Sequence, residues 1–201
     1  MVKILSWGGG ELDKWRKRIL YLKHYFLLRF SYTGVRSKME LGKGNHFVMP
    51  VSRRYALGKL IIGQDNMFGY LPAGFHGEIL LQARTKNAVI KIGNKCHFSN
   101  SISIVACKSI EIGDKFLCGD RVTIVDCDFH GIAPDRKLSE SNCSPVIIGN
   151  NVWLGSEVTV LKGVTIGDNA VVGAKSLVTK SIPANCIAAG IPAKVIRHLT
   201  E

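Results

Sequence analysis

A short polar run, VDCDFHGIAPDR, holds the densest set of side chains that could do chemistry in this chain of 201 residues. Asp126, Asp128 and His130 alternate along it, and Asp135 and Arg136 follow. The ordinary pKa of histidine lies closest to neutral, so His130 could remove a proton from a hydroxyl and return it later. A carboxylate nearby could fix the imidazole tautomer, and Asp126 and Asp128 are both candidates for that role. The run therefore predicts a general base with an acidic partner.

The sequence around this run follows a period of six residues. From residue 148 it divides into IGNNVW, LGSEVT, VLKGVT, IGDNAV, VGAKSL and VTKSIP. Each first position is aliphatic and each fifth is small or branched, while Gly, Asp and Asn concentrate at positions two to four, as corners require. A period of six fits neither a helix nor a simple strand, so the chain must turn a corner every six residues. Three corners return it to its start, which predicts a triangular prism of short parallel strands with Ile148 and Ile166 in one inner ladder.

Two irregularities interrupt the period. The step from Ile92 to Ile112 is two residues too long, which predicts a bulge near residues 106–108. Residues 126–145 then form a loop that contains the polar run. A loop of this length in a compact solenoid is uncommon unless it has a use, and a corner is where an insertion leaves the core undisturbed. The loop is therefore the predicted site.

The cysteines indicate a reduced protein. Six are present with no CxxC pair, and the chain opens without the pattern of a signal sequence. Cys96 takes a fifth position of the period and Cys118 a first, so both are predicted to be small core residues. These features predict no disulfide framework and a cytoplasmic location.

Positive charge is concentrated near the N-terminus. The formal net charge is +12, and residues 1–60 hold 13 Lys or Arg against 3 Asp or Glu. From Trp15 to Phe30, apolar residues recur at spacings of three and four, which predicts an amphipathic α-helix. Its stripe favours packing on the rest of the protein, and the alternative is an interfacial helix on an anionic membrane. Residues 19–30 are too short and too charged to cross a bilayer.

The chain resembles a known family over roughly residues 90–196. NVWLGSEVTVLKGVTIGDNAVVGAKSLVTKSIPANCIAAGIPAKVI is similar to the C-terminal half of hexapeptide acyltransferases, in particular bacterial O-acetyltransferases that act on maltose, galactosides and capsules. DCDFHGIAPDR resembles their catalytic loop. The resemblance implies a mainly β fold, a left-handed parallel β-helix of hexapeptide repeats, here with an N-terminal amphipathic α-helical segment. The expected organisation is a basic segment 1–59, a β-helix domain 60–196 with the inserted loop 126–145, and a tail 197–201.

The same resemblance implies roles for particular residues. His130 would be the general base that activates an acceptor hydroxyl for direct attack on acetyl-CoA, and Trp153 would line the acceptor or pantetheine channel. Gly155, Gly173 and Ala174 would lie at corners along the pantetheine arm, and Lys180 and Lys194 would face the phosphates of CoA. The family forms homotrimers and is expected to need no metal. Lys175 departs from the family, which commonly has VGAGS where this chain has VGAKS.

The acceptor and the class of protein leave alternatives open. The implied acceptor is a sugar hydroxyl in the synthesis of capsule, exopolysaccharide or lipopolysaccharide, which the basic segment could meet at the inner face of a membrane. An amino group of a nucleotide-linked sugar, the hydroxyl of serine or another acyl donor would use similar apparatus. A non-catalytic membrane-associated β-helix is a rival of another class. A zinc enzyme of the carbonic anhydrase type is disfavoured, because His76, His97 and His130 lack a short paired spacing. Nucleic acid is not expected, because the charge lies on one segment without a reading motif.

Overall fold

The computed structural model describes residues 38–70, 77–131, 133–134 and 142–199, together with Trp15, Ile19 and Leu22. Within these residues the chain forms twenty short β-strands. In chain order they are β1 Met39–Leu41, β2 His46–Phe47, β3 Val51–Ser52, β4 Lys59–Ile62, β5 Met67–Phe68, β6 Ile79–Ala83, β7 Val89–Ile92, β8 His97–Phe98, β9 Ser103–Ala106, β10 Ser109–Ile112, β11 Leu117–Cys118, β12 Thr123–Val125, β13 Val146–Ile148, β14 Trp153–Leu154, β15 Thr159–Val160, β16 Thr165–Ile166, β17 Val171–Val172, β18 Leu177–Val178, β19 Cys186–Gly190 and β20 Ala193–His198.

The strands form three sheets that surround one core. Sheet A has the order β1-β4-β7-β10-β13-β16, and sheet C contains β3, β6, β9, β12, β15 and β18. Sheet B runs β2-β5-β8-β11-β14-β17-β19-β20. Each full turn of the chain adds one strand to each sheet, in parallel with the strand of the preceding turn, and β20 closes the stack antiparallel to β19. The fold is therefore mainly β and built from parallel sheets, as the six-residue period predicts.

The strand register confirms both the period and its two interruptions. Ile148 pairs with Ile166, eighteen positions further on, and Ile92 pairs with Ile112, twenty positions further on. The extra residues are the predicted bulge, because Cys107 and Lys108 lie between β9 and β10. The predicted loop also has the expected bounds, since residues 126–145 separate β12 from β13.

The core consists of the side chains at the first and fifth positions of the period. Cys96 and Cys118 are buried, as predicted, and Phe47, Phe68 and Phe98 form a stacked ladder with ring centroids 5.2 and 5.0 Å apart. Both sets of inward positions predicted from residue 148 onward are buried: Ile148, Leu154, Val160, Ile166, Val172 and Val178, and Val152, Val158, Val164, Ala170, Ser176 and Ile182.

The corners explain why glycine recurs every six residues. A Cβ added to Gly155 would lie 2.6 Å from the backbone nitrogen of Ala174, and one added to Gly113 would lie 2.7 Å from the carbonyl carbon of Gly149. At these two corners the stacked coils therefore approach too closely for a side chain at the second position. The fourth position has a left-handed backbone, with a φ of 56° at Asn151 and 60° at Lys175.

The N-terminal part differs from the prediction in one respect. Met39 pairs with Leu60, so β1 to β3 form a complete turn of the stack, and the coils begin before the predicted boundary at residue 60. Of the predicted helix, Trp15, Ile19 and Leu22 have helical backbone and exposed side chains, and the rest of it lies outside the described residues. In the part of the chain that the structure describes, no helix is long and apolar enough to span a membrane.

We expect the phenylalanine ladder to dominate the stability of the N-terminal coils. Phe68→Ala should lower the free energy of unfolding by about 3–5 kcal/mol, because a fully buried ring is lost from the middle of the stack. Met67 is the matched control: it is the neighbouring residue of the same strand on the outer face, and Met67→Ala should cost less than about 1 kcal/mol. Urea unfolding at matched protein concentration measures both, and equal losses would contradict the assignment of the core.

Candidate active site

The loop leaves and rejoins the stack through a short antiparallel stem. Cys127 faces Cys143 in an isolated antiparallel bridge. The N–H of Ser144 donates to the carbonyl of Asp126 at 2.8 Å, and the N–H of Asp128 donates to the carbonyl of Asn142 at 3.4 Å. The stem lies where sheet C gives way to sheet A, a position that we call the C–A corner. Asp135 and Arg136, which belong to the predicted constellation, lie outside the described residues.

His130 is exposed just beyond this stem. The residue before it, Phe129, has a φ of 64°, in the left-handed region that the corners of this fold also use. The guanidinium of Arg84 lies 5.2 Å from the centroid of the Phe129 ring, and the N–H of Phe129 donates to Cys127 Sγ at 3.4 Å. These contacts hold the backbone that presents His130 at the surface.

Asp126 acts on the bulge of the preceding coil. Its carboxylate is fully buried and accepts the N–H of Cys107 at Oδ1 and the N–H of Lys108 at Oδ2, each at 2.7 Å. Burial raises the pKa of Asp126, and these two N–H donors partly offset that rise. Asp126 therefore clamps the bulge, which is a role that its sequence position did not predict. Its suggested role toward His130 stays a prediction.

Asp128 forms an ion pair with Lys162. Both side chains are about three-quarters buried, and Lys162 Nζ also donates to the carbonyl of Asn142 at 3.4 Å. Lys162 thus ties one arm of the stem to the other. Sequence reasoning missed this pairing, although a signal was present. Lys162 is the third residue of VLKGVT, and this hexapeptide lies one coil after the strand from which the loop departs.

Three cysteines also meet at the stem, and sequence reasoning missed this cluster. The Sγ atoms of Cys107, Cys127 and Cys143 all lie within 4.8 Å of one another. Burial and the neighbouring thiols raise the pKa of Cys107 to about 12. This rise disfavours Cys107 as a thiolate nucleophile.

The predicted cofactor residues on sheet B lie in adjacent coils. Trp153 is 53% exposed on the outer face, where its register partners are Leu117 and Val171. Gly155 lies at the corner between sheets B and C, which we call the B–C corner. It stacks directly on Ala174 at the same corner of the next coil, and Gly173 precedes Ala174 there. The contact between the stacked corners already explains the missing side chain of Gly155, so no pantetheine arm is needed to account for it.

The two predicted lysines lie on different parts of the surface. Lys180 is exposed and follows β18 at the C–A corner, which is also the corner of the loop. Lys194 is exposed in β20, opposite Ala189 in sheet B. One chain therefore places His130 and Lys180 at the C–A corner, and places Trp153 and Lys194 on sheet B.

The histidines do not support a carbonic-anhydrase type site among the described residues. His97 lies on sheet B opposite Leu117, whereas His130 belongs to the loop at the C–A corner. His76 lies outside the described residues.

A three-sided stack of parallel strands with a six-residue period, interrupted at one corner by a loop with an exposed histidine, defines the class of hexapeptide-repeat β-helix proteins. Residues 145–180 match the family model of the bacterial transferase hexapeptide (six repeats). The candidate colanic acid biosynthesis acetyltransferase WcaF of Escherichia coli is 34% identical over 128 residues, which cover 55% of this chain and 70% of that protein. The chain belongs to the bacterial hexapeptide transferase family.

Two further relatives have more specific names. The galactoside O-acetyltransferase of Escherichia coli is 43% identical over 113 residues, which cover 56% of this chain and 55% of that protein. The chain thus matches only about half the length of this relative. A solved galactoside acetyltransferase in complex with coenzyme A is 26% identical, covers 98% of this chain and 86% of its own, and superposes with a TM-score of 0.56.

We expect the stability of the bulge to require both carboxylate oxygens of Asp126. Asp126→Asn should lower the free energy of unfolding by about 1–3 kcal/mol and speed amide exchange at Cys107 and Lys108, because an NH₂ group then faces a buried N–H. Asp114→Asn is the matched control: Asp114 accepts the N–H of Asn94 with Oδ1 at 2.8 Å, and Asn150 serves the same ladder with its amide oxygen. Thermal unfolding and hydrogen exchange measure both variants, and equal behaviour would show that Asp126 is not a clamp.

Proposed function

We propose that this protein is an acetyl-CoA-dependent O-acetyltransferase that acts on a sugar hydroxyl, in the synthesis of a bacterial surface polysaccharide such as capsule, exopolysaccharide or lipopolysaccharide. The observation that carries the proposal is the exposed His130 at a braced loop in a hexapeptide transferase. The names of the relatives support the substrate class, since one is a galactoside O-acetyltransferase and another is named for colanic acid biosynthesis. The relative solved with coenzyme A supports the donor.

The proposed chemistry is direct transfer. His130 accepts the proton of the acceptor hydroxyl as its oxygen attacks the thioester carbonyl of acetyl-CoA. The tetrahedral intermediate then collapses, the carbon–sulfur bond breaks, and the CoA sulfur leaves with the proton from the imidazolium. The products are the acetyl ester and CoA. The raised pKa of the Cys107 thiol supports this route over an acyl-enzyme on that residue.

The acidic residues take supporting parts. Asp128 lies two residues before His130, and its pair with Lys162 fixes the arm of the stem that carries the histidine. Asp126 fixes the bulge beneath that arm. Both carboxylates stay candidates for orienting the imidazole, as the sequence predicts.

A complete site requires more than one copy of the chain. Trp153, Gly155, Gly173, Ala174 and Lys194 lie on sheet B and its corners, whereas His130 lies at the C–A corner. Packing sheet B of one copy against the C–A corner of the next would bring the proposed acetyl-CoA site to the proposed base. Leu117 and Trp153, 42% and 53% exposed, give sheet B an apolar outer face suited to such a contact. We therefore propose a homotrimer of left-handed prisms with shared sites.

The N-terminal segment suits an acceptor at a membrane. Residues 1–60 carry most of the excess positive charge, and Trp15, Ile19 and Leu22 are exposed. An amphipathic helix there would hold a cytoplasmic enzyme against anionic lipid, close to lipid-linked intermediates. An amino group on a nucleotide-linked sugar is the alternative acceptor, and a panel of acceptors separates the two.

We expect His130→Ala to lower kcat by about 10²–10⁴-fold while leaving the binding of acetyl-CoA unchanged, because a general base contributes about that much. The measurement is acceptor-dependent CoA release with a panel of sugars, nucleotide sugars and surface glycans. His46→Ala is the matched control, since His46 is exposed in β2, the end strand of sheet B, remote from Trp153 in β14.

Three outcomes of this assay separate the hypotheses. Acceptor-dependent release that survives His130→Ala would exclude His130 as the base. Acetyl-CoA binding without release would leave the acceptor to be found. A chain that does not bind acetyl-CoA at all would support the non-catalytic module.

Lys175 offers a second test, on the donor. It holds the left-handed fourth position of its corner, where glycine is favoured on backbone grounds, so Lys175→Gly should keep the fold, with unfolding free energy changed by less than about 1 kcal/mol. If its ammonium meets the CoA phosphates, KM for acetyl-CoA should rise about 3–10-fold. Lys115→Gly makes the same backbone change at a φ of 57° in another corner, and should leave KM unchanged. An unchanged KM in both variants would remove Lys175 from the donor site.

A further inference from the structure

Three thiols converge at the base of the loop although they come from separate interruptions of the repeat. Cys107 lies in the bulge between β9 and β10, and Cys127 and Cys143 lie on the two arms of the stem. Their sulfur atoms are mutually within 4.8 Å. Core packing does not account for this group, because the cysteines that serve the core, Cys96, Cys118 and Cys186, lie elsewhere in the stack.

The bulge holds Cys107 from both sides of its own backbone. Its N–H donates to Asp126 Oδ1 at 2.7 Å, and its carbonyl accepts the hydroxyl of Thr85 at 2.8 Å. A buried carboxylate and a side chain from the coil below thus fix the backbone from which the Cys107 sulfur projects. Such supporting bonds are what orient the ligands of a metal site.

Cys127 receives a bond at the sulfur itself. It is 3% exposed, and the N–H of Phe129 points at Sγ from 3.4 Å. Hydrogen bonds from backbone N–H groups to sulfur stabilise the negative charge of coordinated thiolates.

We propose that Cys107, Cys127 and Cys143 together bind one soft divalent cation, with zinc as the preferred ion, and that the ion joins the bulge to both arms of the loop stem. Thiolate ligands select zinc among the common divalent cations. Three protein ligands leave the fourth tetrahedral position to solvent or to a further ligand. This site departs from the metal-free expectation for the family, and it does not depend on the proposed acetyl transfer.

The geometry requires one adjustment. Zinc–sulfur bonds of about 2.3 Å in a tetrahedron place two thiolates about 3.8 Å apart. The sulfur atoms of Cys127 and Cys143 are 2.7 Å apart, so a rotation about one Cα–Cβ bond must separate them by about 1 Å on binding. A disulfide between these two residues is the competing outcome. It would use two of the sulfurs and give no role to the third, which the structure holds in place.

The consequence for the loop is mechanical. Residues 127 and 143 bracket the segment that carries His130, and Cys107 belongs to the coil beneath it. One ion bound to all three would anchor the loop to the rigid stack by its base. The proposed site therefore positions the loop and takes no part in bond making.

The test uses the full-length protein, purified under a phosphine reductant and stripped of metal by a chelator. Addition of Co²⁺ should give an intense tetrahedral spectrum with sulfur-to-cobalt charge-transfer bands of about three thiolates, and Zn²⁺ should displace it at one ion per chain. Cys107→Ala and Cys143→Ala should each weaken Zn²⁺ binding by at least about tenfold, since even supporting residues of metal sites contribute 10–100-fold. Cys96→Ala, which alters a buried cysteine outside the cluster, should bind one Zn²⁺ unchanged.

The cobalt spectrum of the wild-type protein reports the number of sulfur ligands without any substitution. The test therefore does not depend on variants that could misfold. The proposal fails if the reduced protein binds no stoichiometric Zn²⁺ or Co²⁺, or if the spectrum lacks sulfur charge transfer. It also fails if mass spectrometry finds Cys127 and Cys143 joined as a disulfide while the reduced protein shows no metal affinity. Acetyltransferase activity is not a readout, so the failure of either proposal is seen separately.

Discussion

The fold depends on how closely one corner can lie on the next. Parallel strands stack at the spacing that backbone hydrogen bonds impose, and the three corners must follow at the same spacing. Gly155 over Ala174 shows the limit, because one methyl group would already collide with backbone. The polar residue at the third position uses this close approach to form hydrogen bonds between coils. The side-chain oxygens of Asn94, Asp114 and Asn150 each accept a backbone N–H from the coil before, at 2.8 to 2.9 Å. The six-residue period of the sequence therefore follows from the geometry of the corners.

A stack of this kind can change only where it is interrupted. Inward positions are committed to the core, so a loop such as the one that carries His130 must come from residues added to the repeat. Two additions on the C–A corner, the bulge at residues 107–108 and the loop 126–145, lie in consecutive coils. They are also joined, since Asp126 at the start of the loop accepts both N–H groups of the bulge. The bulge, which interrupts the repeat, is therefore hydrogen-bonded to the start of the loop and supports it.

The sequence predicted most of this architecture and less of the site. Period, register, inward residues and loop bounds could be predicted because each is local: a corner every six residues leaves no other arrangement for Ile148 and Ile166. The partners of Asp126, Asp128 and Lys162 could not, because they join residues from different coils, and sequence distance does not reveal which corners meet. The beginning of the stack at Met39 was missed for a related reason. The first coils are less regular, with thirty positions between Leu60 and its partner Ile90 rather than eighteen.

The positions of the proposed site residues on the prism bear on the proposed assembly. A stack of coils presents three flat faces and three corners, and it has no internal cleft because its interior is filled with side chains. In the proposed assembly, a site for two substrates forms between a face of one copy and a corner of another. The apolar outer face of sheet B and the polar C–A corner are complementary in the proposed assembly, in which the first would bury the donor and the second would supply the base. The proposed trimer gives the bracing of the loop a purpose, because a base that meets a substrate held by another copy must itself be fixed in position.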